Sequence, residues 1–475
     1  MWAGVALPAL LLAWAMRQLA VDLPYWDQWA LVFRMDSLFG GRLALSDLLT
    51  PHHEHMMPVP LAVMFGLARW THWNVAMESG VNFALALALF AVVAVSFQRM
   101  AARLQRSGSL LVLPVLSLLV FSITQHSNWM WGLQISALMG LLFALLGLSL
   151  LCEPEVGRVR FGLALMAACV ASLSQAQGLL VWPLGLVALL LVHRAALLAL
   201  SAWVAVGGSL SLYVFSQFTT QENARAFLQD PLALFQYCLT YLGSPVVHGS
   251  QAGALVAGAL GLLVVAVLAL KTRPLQTIAF PVVLALFSIA AALMTGIGRL
   301  DYGLEQALAS RYISFSTPLW IALVSLLGLH VPSPSSRAWR RSVAPCGLVA
   351  VWLLVALSGL GSWPAARAHS DTLRAARQKI LAARERIPED PNRFAALLRD
   401  PALAQLLQGL QGGGQDLEAF QIEHAAEIDV LLASHGLDFI DAADLKGVGD
   451  SSLLVRFGLV VMKKYRLSLF REGAD

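Results

Sequence analysis

The sequence predicts an all-α, polytopic helical membrane protein of about 11 transmembrane helices, and two observations carry that expectation. Apolar runs near the length that crosses a bilayer as a helix recur through the first 362 of 475 residues. The connections between those runs also alternate in kind. One set is short and basic: Arg99, Arg103 and Arg106; Arg158 and Arg160; Arg194; Lys271 and Arg273; Arg337, Arg340 and Arg341. The other set, at 22–29, 51–58, 126–134, 174–178 and 298–312, holds carboxylates, histidines, amides and tryptophans. Lys and Arg near span ends stay cytoplasmic, so the second set is expected outside.

Composition agrees. With 58% hydrophobic and 13% charged residues and a mean hydropathy of +0.70, a soluble globule of this length is excluded. Backbone groups in lipid must be satisfied within their own segment, and the runs lack the period-2 alternation of a membrane barrel. The net charge of +4 comes mostly from topology-setting loops, so there is no basic stripe and no nucleic-acid partner is expected. Cys152, Cys169, Cys238 and Cys346 lie in or beside apolar runs without paired spacing and read as packing residues. Residues 2–20 lack a basic start and a small-residue cleavage site, and read as a retained first span.

Spans are expected at 3–20, 79–98, 109–125, 134–151, 161–174, 178–192, 195–216, 253–270, 275–295, 312–330 and 345–362. The apolar stretch 58–70 is short and holds Pro58 and Pro60. Counting it as a crossing would turn Arg99, Arg103 and Arg106 outward, so it is expected as an interfacial helix with Trp70, His72 and Trp73 at headgroup depth. Residues 21–78 thus form a long outer loop, in which Trp26, Trp29, Leu31, Val32 and Phe33 suggest a second helix lying on the membrane. Residues 217–252 are expected as another interfacial cap. Residues 1–362 form the expected membrane domain, and 363–475 a small, mostly helical, extracytoplasmic domain. Its helical pieces are expected to Pro388, at 393–410 and at 416–435, followed by a strand or helix pair.

Asp22 and Asp27 follow the first span. Beside Tyr25, Trp26 and Trp29 such carboxylates are partly desolvated, which moves them toward general-base range; the alternative, favoured by position alone, is an ordinary interfacial loop. His52, His53, Glu54 and His55 can bind phosphate, titrate or hold zinc. Without an i,i+4 histidine pair, the rim of an active site is preferred; no cofactor is certain and a divalent metal stays open. Arg299 and Arg311, with Asp301, Tyr302, Glu305 and Tyr312 nearby, offer guanidinium forks that match phosphoryl oxygens. Structural pairing of Arg299 with Asp301 and Arg311 with Glu305 stands nearly level with that reading. Asn128, Gln134 and Gln177 supply amides suited to sugar hydroxyls or to helix capping. Five polar clusters on one leaflet outweigh any one of them, because polar groups there are expensive unless used.

Trp26-Asp27-Gln28-Trp29, His52-His53-Glu54-His55-Met56, Asn128-Trp129 with Gly132-Leu133-Gln134, and Ser310-Arg311-Tyr312 resemble signatures in a group of bacterial multi-pass membrane proteins. Over roughly residues 1–330 the arrangement resembles the GT-C superfamily of membrane glycosyltransferases, which take sugars from polyprenyl-phosphate carriers. The resemblance implies a bacterial inner-membrane enzyme with an extracytoplasmic active face, acting on a glycan or lipid acceptor among membrane lipids. It gives Asp27, then Asp22, the role of acidic residue in the first outer loop, and implies inversion at the anomeric carbon. Two departures are visible: Asp22 and Asp27 are not adjacent, and Met56 stands where related sequences tend to carry Arg.

The expected function is therefore transfer of a sugar from a polyprenyl-phosphate donor. Asp27 would serve as base or orienting carboxylate on the acceptor hydroxyl, Arg299 and Arg311 would hold phosphate, His53, Glu54 and His55 would line the acceptor or phosphate side, and Asn128, Gln134 and Gln177 the sugar. A transporter of a lipid-linked glycan ranks second, since almost no ionisable residue falls mid-span and no inverted repeat is evident. A non-catalytic envelope assembly protein is the third reading.

Overall fold

The computed structural model describes residues 2–52, 55–106, 112–155, 157–193, 197–217, 230–272, 274–331, 343–390, 392, 396–397, 400–401, 425–445, 447–449 and 452–471. Its architecture is all-α. Helix α1 (Trp2–Leu19) is followed by the short helices α2 (Val32–Phe39) and α3 (Leu45–Leu49), then α4 (Pro58–Thr71). A hairpin-like series follows: α5 (Val75–Arg103), α6 (Val112–Val120), α7 (His126–Met130), α8 (Ile135–Leu151), α9 (Arg158–Ser172), α10 (Val181–Val192) and α11 (Leu197–Ser216). The rest comprises α12 (Pro231–Gly243), α13 (Gln251–Lys271), α14 (Ala279–Arg299), α15 (Ile313–Leu329), α16 (Ala344–Ala382), α17 (Ala425–Ser434) and α18 (Ser452–Lys464).

Among the described residues, eight helical stretches are long and apolar enough to cross a membrane: Trp2–Leu19, Val75–Arg103, Gly132–Leu151, Leu197–Ser216, Gln251–Lys271, Leu275–Tyr302, Ser310–Leu329 and Ala344–Ala382. The chain is a multi-pass helical membrane protein. The other three expected spans fall on α6, α9 and α10, which have 9, 15 and 12 residues. At 1.5 Å per residue none of these reaches the roughly 30 Å of a hydrocarbon core by itself.

Contacts sort the connections into two ends. At the basic end, Glu153 meets Arg103 at 3.3 Å and Arg99 at 3.8 Å, His193 Nε2 lies 3.1 Å from the Leu151 carbonyl, and Thr272 reaches His330 at 3.4 Å. At the polar end, Asp22 accepts from the Val75 amide at 2.8 Å, Asn82 donates to the Trp131 carbonyl at 3.0 Å, and the Ser127 and Ser310 hydroxyls are 2.5 Å apart. Among the described connections, those with these contacts thus sort in space by their chemistry. Helix α4 starts beside the Leu173 carbonyl, which accepts from Val59, and finishes beside Ser468, so both its ends lie near polar-end residues.

Trp73, expected at headgroup depth, is fully buried within the protein, while Trp70 is 77% exposed. Helix α2 packs against α18, with the Phe33 and Phe457 rings 4.9 Å apart. One local expectation needs correction. Helix α12 enters the bundle rather than capping it. A Cβ on Gly243 would stand 1.8 Å from the Ala254 carbonyl oxygen, and one on Gly258 2.0 Å from that of Leu239, so α12 and α13 touch backbone to backbone. Trp320 fixes the depth of α12 by donating to the Leu242 carbonyl at 2.7 Å.

Helix α16 runs 39 residues without a break across the expected boundary at 362, about 58 Å at 1.5 Å per residue and nearly twice a bilayer core. Its upper half buries Leu373, Ala376 and Ile380, spaced to share one face. They join a core that also contains Trp29, Leu31, Val32 and Met35 from the first loop and Val455, Leu459, Val460 and Phe470 from the C-terminus. The first loop and the described C-terminal residues therefore fold as one unit on top of α16. The end of the chain is helical, α18 followed by a turn at Ser468–Phe470. Most of the helical pieces expected at 393–410 and 416–435 lie outside the described residues, apart from α17.

Gly243→Ala and Gly258→Ala should each destabilise the protein by about 1–3 kcal/mol through overpacking. Gly66→Ala, where a Cβ meets nothing within 4 Å, should be neutral or stabilising. Thermal unfolding in detergent, compared across the three variants, measures the difference.

Candidate functional site

The 126–134 and 310–312 motifs meet at the polar end. Asn128 Nδ2 donates to Ser314 Oγ at 2.7 Å, and Ser314 Oγ donates to Gln125 Oε1 at 2.6 Å. Gln125 Nε2 in turn donates to the Val120 carbonyl at 2.9 Å, which satisfies the last turn of α6. Trp129 Nε1 donates to the Ser122 carbonyl at 2.9 Å. Asn128 is fully buried, so its amide is committed to joining α7 to the start of α15. Arg311 follows Ser310 directly.

The Arg311 guanidinium lies 5.0 Å over the Tyr312 ring, and its Nη2 donates to the Tyr312 hydroxyl at 3.3 Å. Arg299 lies 5.5 Å over Tyr302. Tyr312 stacks with Tyr241 at 6.0 Å, and Tyr241 with Tyr237 at 6.5 Å. Burial pushes the Tyr237 phenol up from its ordinary value, opposed in small part by Arg311 and Arg299. Among the described residues no ion pair joins Arg311 to Glu305 or to another carboxylate. Tyr237 and Tyr241 were not singled out from the sequence; their i,i+4 spacing in an apolar helix, which stacks both phenols on one face, was the available signal.

The first-loop motif forms a tight turn over Trp26–Leu31. Trp26 has φ of 53°, a left-handed conformation that costs a non-glycine residue about 1–3 kcal/mol. Its amide donates to the Val448 carbonyl at 2.8 Å, and Trp29 Nε1 donates to the same oxygen at 3.2 Å. Asp27 is half-buried, and no described residue hydrogen-bonds its carboxylate. Gln28 is fully buried and donates to Glu78 Oε2 at 2.5 Å. Gly132 is needed there, because a Cβ would sit 1.8 Å from that carboxylate oxygen. Glu78 was also missed by sequence reasoning, although Glu78 and Asn82, four apart at the start of an apolar span, share a face. Asp22 caps the start of α5 through the Val75 amide. Burial raises its pKa, opposed by hydrogen bonds from Ser468 and Val75 and by Arg377.

His52 and His55 are joined by a backbone pair at 2.9 and 3.0 Å, which closes a tight hairpin; His53 and Glu54 lie outside the described residues. His55 Nε2 is 3.4 Å from Gln175 Nε2, bringing 51–55 to the 174–178 turn. Gln177 and Gln134 are both buried, and the Gln177 side-chain oxygen has no hydrogen-bond partner there. Met56 is fully buried in the main core, a position suited to a thioether and not to a guanidinium. Among the described residues no group of three or more His, Cys, Asp or Glu side chains is arranged to hold a metal ion.

Three further histidines come together from α7, the α12–α13 connection and α16: His126, His248 and His369. Burial, followed by the nearby His369 and His248, pushes His126 down to about 4, and burial also lowers His248. The His369 ring packs edge-on against Tyr25 at 4.5 Å. Contacts and chain neighbours thus link Tyr25, two residues before Asp27, through His369, His126, Ser127 and Ser310 to Arg311. No spacing in the sequence announces this linkage, since its members lie hundreds of residues apart.

Because the folded state favours neutral His126, its contribution to stability is present above its ordinary pKa near 6.5 and is lost as pH falls from there toward 4. The full effect is roughly 3 kcal/mol at 1.36 kcal/mol per pH unit. His126→Gln should flatten the dependence of the melting temperature on pH in that window. The chain matches no protein-family model, no curated protein and no solved structure.

Proposed function

We propose that this protein is an integral membrane glycosyltransferase of GT-C type, moving a sugar from a polyprenyl-phosphate donor to an extracytoplasmic glycan or lipid acceptor. The observation that carries the reading is the pairing of opposites at one end of the bundle. A half-buried carboxylate, Asp27, lacks a hydrogen-bond partner among the described residues, and a guanidinium, Arg311, lacks a carboxylate. Tyr25, His369, His126, Ser127 and Ser310 link the two stretches of chain that carry them. Unneutralised charges in a partly desolvated place are costly to keep unless a ligand uses them.

In this reading Asp27 takes the proton of the acceptor hydroxyl as its oxygen bonds to the anomeric carbon. The bond from that carbon to the donor phosphate oxygen breaks, and the phosphate leaves with the electron pair. Arg311 and Arg299 neutralise the charge that grows on it. Trp26 and Tyr302, both exposed, offer aromatic faces to a sugar ring. His55, Gln134 and Gln177 supply polar contacts at the same end.

Asp27→Asn should lower transfer at least about 100-fold, the scale of general-base assistance. Arg311→Lys should lower it about tenfold or more by replacing a planar fork with a point charge. Mass spectrometry of surface glycans in cells expressing each stable variant reads both effects. An unchanged glycan with Asp27→Asn refutes the proposal.

A further inference from the structure

We infer that the described C-terminal segment, through Val448 and α18, is the positioning element for Asp27, so that the polar-end site is incomplete without it. The inference rests on the reading of Asp27 as a reacting carboxylate, but its geometry stands by itself. Trp26 and Trp29 are three residues apart in a tight turn, so their positions eclipse one another and Asp27 is carried on a different side. Both tryptophans spend a donor on one oxygen, the Val448 carbonyl. That shared bond holds Trp26 in its left-handed conformation; without it, relaxation of φ would swing the next residue, Asp27.

The grip on Trp29 is also steric. The indole lies against Gly449 and Gly458, where an added Cβ would come within 2.9 Å of Cδ1 and 2.5 Å of Cε3. The segment is fastened to the first loop on the far side as well. Lys464 and Tyr465 reach Asp36 at 3.3 and 3.0 Å, and Ser468 binds the carbonyls of His72 and Trp73 at 2.7 and 3.0 Å. The C-terminal segment therefore holds the first loop at two places, the Trp26–Trp29 turn and the Asp36 and His72–Trp73 region, and α16 packs in the same core.

The test uses the full chain with Cys152, Cys169, Cys238 and Cys346 replaced by alanine. Asp27→Cys reports the local position through its rate of reaction with a membrane-impermeant maleimide, and Tyr302→Cys serves as a control at the same end. Gly458→Ala should change the rate at position 27 at least threefold and leave that at 302 unaltered. Gly66→Ala, whose added Cβ meets nothing within 4 Å, should leave both rates unaltered. An unaffected rate at 27 with Gly458→Ala, an equal change at 302, or the same change with Gly66→Ala overturns the inference. If Gly458→Ala does not fold, Gly449→Ala gives the same comparison. None of these rates depends on sugar transfer, so an unchanged glycan with Asp27→Asn would remove the enzyme reading and leave this inference standing.

Discussion

Polar groups buried at one end of an apolar bundle have few ways to be satisfied, and that scarcity governs the structure. Gln28, Glu78, Asn82, Gln125, Asn128 and Ser314 are all buried where water cannot serve them. Each therefore takes its partner from another segment: Gln28 from α5, Asn82 from the 131 carbonyl, Asn128 from the first turn of α15. A buried donor left unmade costs about 1–3 kcal/mol, so the mutual arrangement of the first loop, α5, α7 and α15 is set far more tightly than apolar packing alone would set it. Packing against lipid-like surfaces is forgiving; a network of paired amides is not.

The same network explains how Asp27 and Arg311 are each placed at the polar end. Asn128 and the paired serines bring Ser310 to α7, and Arg311 follows by one peptide bond. Gln28 is pinned to Glu78, and Asp27 precedes it by one. In both cases the neutral neighbour is locked and the charged residue beside it remains available. The sites thus inherit precise placement from residues that do no chemistry themselves, which is how preorganisation is built where water is scarce.

The C-terminal segment adds a second layer of constraint. Its residues form one core with the first loop, and one carbonyl, that of Val448, holds both tryptophans of the WDQW turn. The 39-residue α16 gives this unit a rigid mount, since its upper half buries Leu373, Ala376 and Ile380 in the same core. What looks along the chain like an appendage after the last span is thus continuous with the part that carries Asp27.

The sequence by itself determined the class of molecule, the helical character of its runs and the sorting of connections to two ends, because span length, hydropathy and loop charge are local properties summed along the chain. It also indicated that α4 stays at one end, from its length and prolines. Only the tertiary structure decided what pairs with what. Asp22 serves as a helix cap, Trp73 and α2 turn inward against the C-terminus, α12 enters the bundle, and Glu78, Tyr237 and the three histidines lie among the polar groups at that end. These depend on hydrogen bonds and close backbone contacts between residues up to several hundred positions apart, and no periodicity or composition encodes such partners.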